Sequence, residues 1–160
     1  MNKTNKTNAM RLLDAAKIPY RAVEYEYDES DLGGEHVAAV TGMNPDQVFK
    51  TLVARGEKQG ILVFCIPVSC TLDLKKAAHA AGDKKVEMIH MKELLGLTGY
   101  IRGGCSPVGM KKKYPTFMDE TAELYDEIAI SGGARRLQMV LNPLQLMEYA
   151  DITSVDLVEY

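Results

Sequence analysis

Residues 60–68 read Gly60-Ile61-Leu62-Val63-Phe64-Cys65-Ile66-Pro67-Val68. The run is apolar, rich in β-formers and long enough to cross a core, and it predicts a strand. Downstream, Thr71-Leu72-Asp73-Leu74 predicts the start of a helix that runs through Ala81 and stops at Gly82. Upstream, Asn44-Pro45-Asp46 predicts a helix start, with Asn44 as N-cap and Pro45 in the first helical position. Residues 47–54 then run into a segment rich in Val, Phe, Thr and Leu, read as a second strand.

Further out, a short helix is expected from Thr7, with Leu12, Leu13 and Ala16 as its apolar face and Pro19 ending it. A strand is expected over 20–27, a break at Gly33-Gly34 and helical spacing over 35–40. Strands are predicted at 86–89, 99–102, 116–118, 128–131 and 137–141, with a short helix over 91–95 before Gly96. Asn142-Pro143 restarts a helix through Tyr149, and 152–158 forms a β-rich tail. Strands and helices alternate irregularly, which favours a mixed α/β domain over a regular doubly wound sheet.

The chain has 160 residues, enough for one domain over 1–160, with residues 1–6 expected to be a flexible lead. Its 46% apolar and 26% charged residues exclude disordered, collagen-like and coiled-coil classes. No apolar run reaches the ~20 residues of a membrane-spanning helix. No apolar stretch follows the charged N-terminus, so it does not read as a secretory signal. Three cysteines make no even framework, which fits a reducing cytosol. The formal charge of −3 speaks against strong general nucleic-acid binding, but its distribution is uneven. Residues 22–49 hold seven acidic groups and no Lys or Arg, whereas 94–118 hold Arg102, Lys111, Lys112 and Lys113 and no acid. Screening makes a partner feel the local patch, so this segment can anchor phosphate despite the sum; the alternative is a solvated loop.

Cys65, Cys70 and His79 show none of the paired spacing of a structural zinc site, and His36, His79 and His90 show no metal-binding helix spacing, so no metal is expected. Cys105 is either a loop nucleophile awaiting a base or a small residue in a tight turn. Gly103-Gly104 and Ser131-Gly132-Gly133 match no P-loop or dinucleotide fingerprint, but such turns let a backbone approach a ligand closely. Lys50 interrupts an apolar segment. It is either an edge residue snorkelling to water or a cation held in a pocket for an oxyanion or a phosphate.

Taken together, four stretches resemble the YbaK/EbsC family of editing proteins, related to the insertion domain of bacterial prolyl-tRNA synthetases. They are residues 44–52 (Asn-Pro-Asp-Gln-Val-Phe-Lys-Thr-Leu), Leu72-Asp73-Leu74-Lys75-Lys76, residues 99–112 with Gly103-Gly104-Cys105-Ser106-Pro107 at their centre, and Ser131-Gly132-Gly133. The likeness spans about residues 7–158. It implies a mixed, partly closed sheet or barrel flanked by helices, and hydrolysis of the ester joining a wrong amino acid to tRNA, most like a Cys-tRNA(Pro) deacylase. It implies Lys50 as the catalytic residue. Tyr25, Thr51, Gly103, Gly104, Ser106, Pro107, Ser131, Gly132 and Gly133 would contact substrate, and Arg102, Lys111, Lys112 and Lys113 would contact tRNA. No cofactor is implied. The implied partners are aminoacyl-tRNA(Pro) and a prolyl-tRNA synthetase; no membrane is expected, and no oligomeric state follows. The chain departs from the pattern at Gln138, where an Asp often stands, and at Cys105, commonly apolar. These departures keep a second reading open: a non-catalytic tRNA- or synthetase-binding module. A small-molecule hydrolase acting on free aminoacyl esters is a third, and an editing hydrolase of different amino-acid specificity, such as for Ala-tRNA, is a further alternative.

Overall fold

The computed structural model describes residues 6–24 and 42–160. In chain order the elements are α1 (Asn8–Ala15), β1 (Tyr20–Glu24), β2 (Phe49–Gly56), β3 (Gly60–Pro67), α2 (Leu74–Ala81), β4 (Val86–Met88), α3 (Leu94–Thr98), β5 (Thr116–Asp119), β6 (Ile128–Ser131), β7 (Leu137–Leu141), α4 (Pro143–Ala150) and β8 (Ile152–Val155). Local side chains set most of the helix starts. Thr7 caps α1 by accepting from the Met10 N–H at 3.2 Å. Asp73 caps α2 through the Lys75 and Lys76 N–H groups, and Asn142 caps α4 through Gln145. The 3₁₀ turn Pro45–Gln47 starts at Asn44, whose side chain accepts from the Asp46 N–H at 2.9 Å. Gly82 ends α2 in the left-handed region.

The strands form two sheets. The smaller is antiparallel with order β1-β7-β6, and the larger has order β4-β2-β3-β5-β8. In the larger, β2 runs antiparallel to β3 and to β4, while β3–β5 and β5–β8 are parallel. The sheets join through a single parallel bridge between Val48 and Ala129, after which the pairing stops. Among the described residues the expected partial closure is therefore a seam between two sheets, which do not close into a barrel.

Strand alternation sorts the apolar residues into layers. Phe49, Cys65 and Met118 of the larger sheet meet Ile128, Ile130, Met139 and Leu141 of the smaller, with Met10 and Leu13 of α1 and Leu146 of α4 closing this core. On the other face of β2 and β3, Leu62, Phe64 and Ile66 pack under Ala77 and Ala78 of α2 and against Leu157 and Val158. The buried face of α1 is Ala9, Met10 and Leu13, so Ala16 is not part of it as expected.

Two other expectations fail. The helix expected to stop before Gly96 runs through it: a 3₁₀ turn at Met91–Glu93 leads into α3, which ends at Gly99 with φ +83°. Glycine costs a helix only about 1 kcal/mol against alanine, and Leu94 and the Thr98 hydroxyl bond to the Leu94 carbonyl hold the element together. Residues 99–102 form no strand. The Thr98 hydroxyl accepts from the Tyr100 N–H, and the Tyr100 hydroxyl donates to the Val108 carbonyl, folding the segment into a loop. A 3₁₀ turn at Glu120–Leu124, capped by Asp119, was not anticipated. Residues 25–27 of the expected first strand, the Gly33-Gly34 break and the helical spacing at 35–40 lie outside the described residues, as do residues 1–5 of the expected lead. Among the described residues, no helix is long and apolar enough to cross a membrane.

Candidate active site

The seam brings together two of the sequence-predicted residues, Lys50 and Ser131. Beyond the bridge, Lys50 lies two residues after Val48 on β2, and Ser131 lies two residues after Ala129 on β6. With a side-chain period of two, both continue the face marked by Val48 and Ala129. Ser131 pairs across the sheet with Gln138, and Gln138 pairs with Val23. One face thus carries Lys50 on one side of the seam and Ser131 and Gln138 on the other. Lys50 is half-buried, with Ile66 opposite it in the register, and has no ion-pair partner among the described residues. A lysine set among apolar neighbours without a counter-ion is a ready site for developing or fixed negative charge.

Thr51 points the other way. It shares the opposite face of β2 with Phe49 and Val53, and its hydroxyl lies 3.8 Å from the buried Cys65 sulfur. Adjacency in sequence to Lys50 is what separates them, because successive strand residues face opposite sides. Tyr25 lies outside the described residues.

The two glycine turns are in contact. A Cβ on Gly104 would stand 3.1–3.2 Å from the Ala134 backbone, and one on Gly103 would stand 3.5 Å from the Arg135 side chain. Gly133, at φ +98°, faces the Tyr100 ring. Here glycine permits close approach of loop to loop. Three of the N–H groups in these turns are bonded within the protein: the Gly104 N–H donates to the Ile101 carbonyl, Gly132 to the Leu137 carbonyl, and Gly133 to the Ser131 Oγ. The Gly132 carbonyl in turn accepts from the Thr7 hydroxyl at 2.6 Å, which ties the turn to the start of α1.

Ser106 is fully buried, and its oxygen accepts from the Val108 N–H at 3.2 Å, so it shapes the loop from within. Pro107 lines a cavity of about 270 Å³ with Lys112, Lys113, Tyr114 and Tyr149. Cys105 is buried with Val53, Val63, Ile89 and Leu94, and burial pushes its thiol up to about 12. Cys65 is likewise pushed up to about 12 by burial. Both stay protonated at neutral pH, so Cys105 fits the turn-residue reading and not the nucleophile. Among the described residues no group of three or more His, Cys, Asp or Glu side chains could hold a metal ion.

Arg102, Lys111, Lys112 and Lys113 are all exposed. Two further cations that the charge blocks did not single out lie on the turn that contacts Gly103 and Gly104. Arg135 and Arg136 occupy the turn after Ser131-Gly132-Gly133, and the Arg135 Nε donates to the Arg102 carbonyl at 3.0 Å. That bond joins the basic loop to the turn carrying Ser131. Their position directly after the Ser-Gly-Gly turn was the available signal.

Comparison with known proteins bears on this geometry. The family model for the aminoacyl-tRNA editing domain matches residues 33–149. An Enterococcus faecalis protein, EbsC, provisionally named a Cys-tRNA(Pro)/Cys-tRNA(Cys) deacylase, is 47% identical over 154 residues, covering 93% of this chain and 94% of its own. The uncharacterized protein YwhH of Bacillus subtilis is 25% identical over 125 residues, covering 78% of this chain and 79% of its own. A crystal structure provisionally described as a trans-editing enzyme for prolyl-tRNA synthetase superposes with a TM-score of 0.80 at 26% identity, covering 98% of this chain and all of the other. The two-sheet architecture, the motif order and these matches agree, and the chain belongs to the aminoacyl-tRNA editing family, the YbaK/EbsC group.

Proposed function

We propose that this protein hydrolyses the ester of mischarged tRNA(Pro), with Cys-tRNA(Pro) as its main substrate. The observation that carries the reading is the half-buried Lys50 at the seam, without a counter-ion among the described residues and on one face with Ser131. The 47% identity to EbsC supports the choice of cysteine. Lys50 stabilises the carbonyl oxygen as it gains negative charge, and Ser131 borders the same space. The cations Arg102, Lys111, Lys112 and Lys113 hold the tRNA phosphates, and a prolyl-tRNA synthetase supplies the rest of the tRNA recognition.

The protein contributes positioning and charge, and the substrate contributes the nucleophile. The cysteinyl thiol gives up its proton and its sulfur bonds to the ester carbonyl carbon. The carbon–oxygen ester bond then breaks, and the terminal ribose oxygen takes a proton. The products are free tRNA and a cysteine thiolactone, which water opens to cysteine. This route needs no side-chain base, only a held geometry and a stabilised oxyanion. No cofactor enters it.

The test is a deacylation panel of Cys-, Ala- and Pro-tRNA(Pro) with wild type and Lys50→Ala. Cys-tRNA(Pro) is expected to be cleaved fastest, and Lys50→Ala to lower its rate about 10²–10³-fold, the usual cost of losing an oxyanion contact. Equal rates for the two proteins would remove Lys50 from the mechanism. Tight binding with no turnover would instead establish a non-catalytic module.

A further inference from the structure

Among the described residues, one buried side-chain polar atom has no hydrogen-bond partner: the Oε1 of Gln138. The residue is 6% exposed and sits on β7 between Ser131 of β6 and Val23 of β1, on the face that continues to Lys50 across the seam. A buried acceptor without a donor destabilises a fold. The neighbouring residues of β7, Leu137, Met139, Val140 and Leu141, are all apolar and buried. Packing alone would be served by another apolar residue here. The amide is therefore held in the unliganded molecule at a cost that a ligand's donor can recover.

We infer that Gln138 is a specificity-determining residue that accepts a hydrogen bond from the α-ammonium group of the amino acid carried by the tRNA. This rests on the reading that the seam binds an aminoacyl ester beside Lys50. Such an ester brings three kinds of donor into the seam: the α-ammonium, the terminal ribose hydroxyl and, for cysteine, the thiol. Electrostatics chooses among them. The carbonyl oxygen goes to the Lys50 ammonium, and like-charge repulsion turns the substrate ammonium toward the far wall. β7 lies one ladder spacing of about 4.8 Å behind β6, and the gap of the seam, where β2 and β6 no longer pair, adds the rest of the span. That span lets one aminoacyl group reach from a lysine on one wall to a glutamine on the other. A charged donor also makes the strongest bond to an orphaned carbonyl in a dry site. An amide stays neutral at every pH, so the wall receives the ammonium without adding a carboxylate to a half-buried face.

The experiment compares an aminoacyl-tRNA that the deacylation panel shows to be cleaved with its desamino counterpart, 3-mercaptopropionyl-tRNA in the case of cysteine. Both are measured with wild type, Gln138→Leu and Gln138→Glu. The Gln138→Leu variant should lose about tenfold to a hundredfold in kcat/KM on the aminoacyl substrate, the range for a bond to a charged group, and nothing on the desamino one. The Gln138→Glu variant, which keeps an acceptor, should restore the preference for the amine-bearing substrate. Equal losses on both substrates would show a merely structural role, and no loss on either would show that the amide meets no ligand; each overturns the inference. A loss that vanishes only with a terminal 2′-deoxyadenosine would assign the contact to the ribose hydroxyl and also overturn it. If wild type cleaves no aminoacyl-tRNA, it is the Lys50 reading that fails. The Gln138 contact is then read from binding of a non-hydrolysable cysteinyl-adenosine amide and its desamino analogue, with the same variants and the same deciding outcomes.

Discussion

Asp119 and Gln138 are both buried polar side chains at strand positions, one in each sheet, and they are treated in opposite ways. Asp119, at the end of β5 and fully buried, accepts from the Leu157 N–H at 2.9 Å, the Thr121 hydroxyl at 2.6 Å and the Thr121 N–H at 3.2 Å. It starts a 3₁₀ turn and fastens residue 157 against the larger sheet. Gln138 on the smaller sheet leaves its buried oxygen unmet. A satisfied buried group belongs to the architecture, while an unsatisfied one marks where the molecule is incomplete without a ligand. The β5 end of the larger sheet is thus frame, and the two walls of the seam, with Lys50 on one and Gln138 on the other, are the working surface.

Stability measurements give the sharpest way to break this contrast. Asp119→Ala leaves the Leu157 and Thr121 N–H groups without their acceptor in a buried site, and it should cost about 2–4 kcal/mol in urea unfolding. Gln138→Leu, expected to lower activity on amine-bearing substrates, should leave stability unchanged or raised. If the two variants lost stability equally, the distinction between frame and working surface would be wrong.

The same contrast extends to the surface. Lys111 and Lys112 have no ion-pair partner among the described residues, and Lys113 has only a 3.9 Å approach to the exposed Asp151. Replacing all three by Ala should weaken tRNA binding and lower the slope of log K against log salt by about 2 to 3, close to one released counterion per lysine. An unchanged slope would show that these cations face away from the bound tRNA.

Arg55 and Glu93 are the counter-example, an exposed pair satisfied at 2.8 Å with a second bond at 3.4 Å. The guanidinium holds the Glu93 carboxyl down to about 2, with help from the His90 N–H. The folded value lies below the ordinary 4.5, so the stabilisation is complete above the unfolded value and fades as pH falls toward about 2. The melting-temperature difference between wild type and Glu93→Gln should be small, largest above pH 5, and absent near pH 2. A difference that grew in acid would reverse the assignment. Solvent screening makes this the smallest of the effects.

What was legible in the sequence was mostly local chemistry. Thr7, Asn44, Asp73 and Asn142 were readable as helix starts because each cap is a bond between a side chain and a backbone group two or three residues away. The strand at residues 60–67 was readable because its burial demands an unbroken apolar run. The helix through Gly96 was not, since an interior glycine and a terminal one look alike until packing is known. The loop at 99–102 was not, because the bonds that fold it come from Thr98 and Val108. At the site, Lys50 and the glycine turns stood out as residues that break a pattern. That Thr51 faces away from Lys50, that Ser106 is enclosed, and that Arg135 reaches the Arg102 carbonyl all depend on which strands and loops meet. Gln138 was visible as a departure from a family pattern, but its unmet oxygen could be seen only with β1 and β6 in place.

The single bridge at Val48 and Ala129 has a consequence for how substrate preference can change. Pairing between the sheets stops past this point, so the bulk of the two buried side chains Val48 and Ala129 helps set the width of the gap beyond it. One methylene added or removed there would shift the opposing walls while leaving the residues that bind and react untouched. Preference among amino acids of similar size can then drift through the hinge of the gap, with the chemistry kept constant.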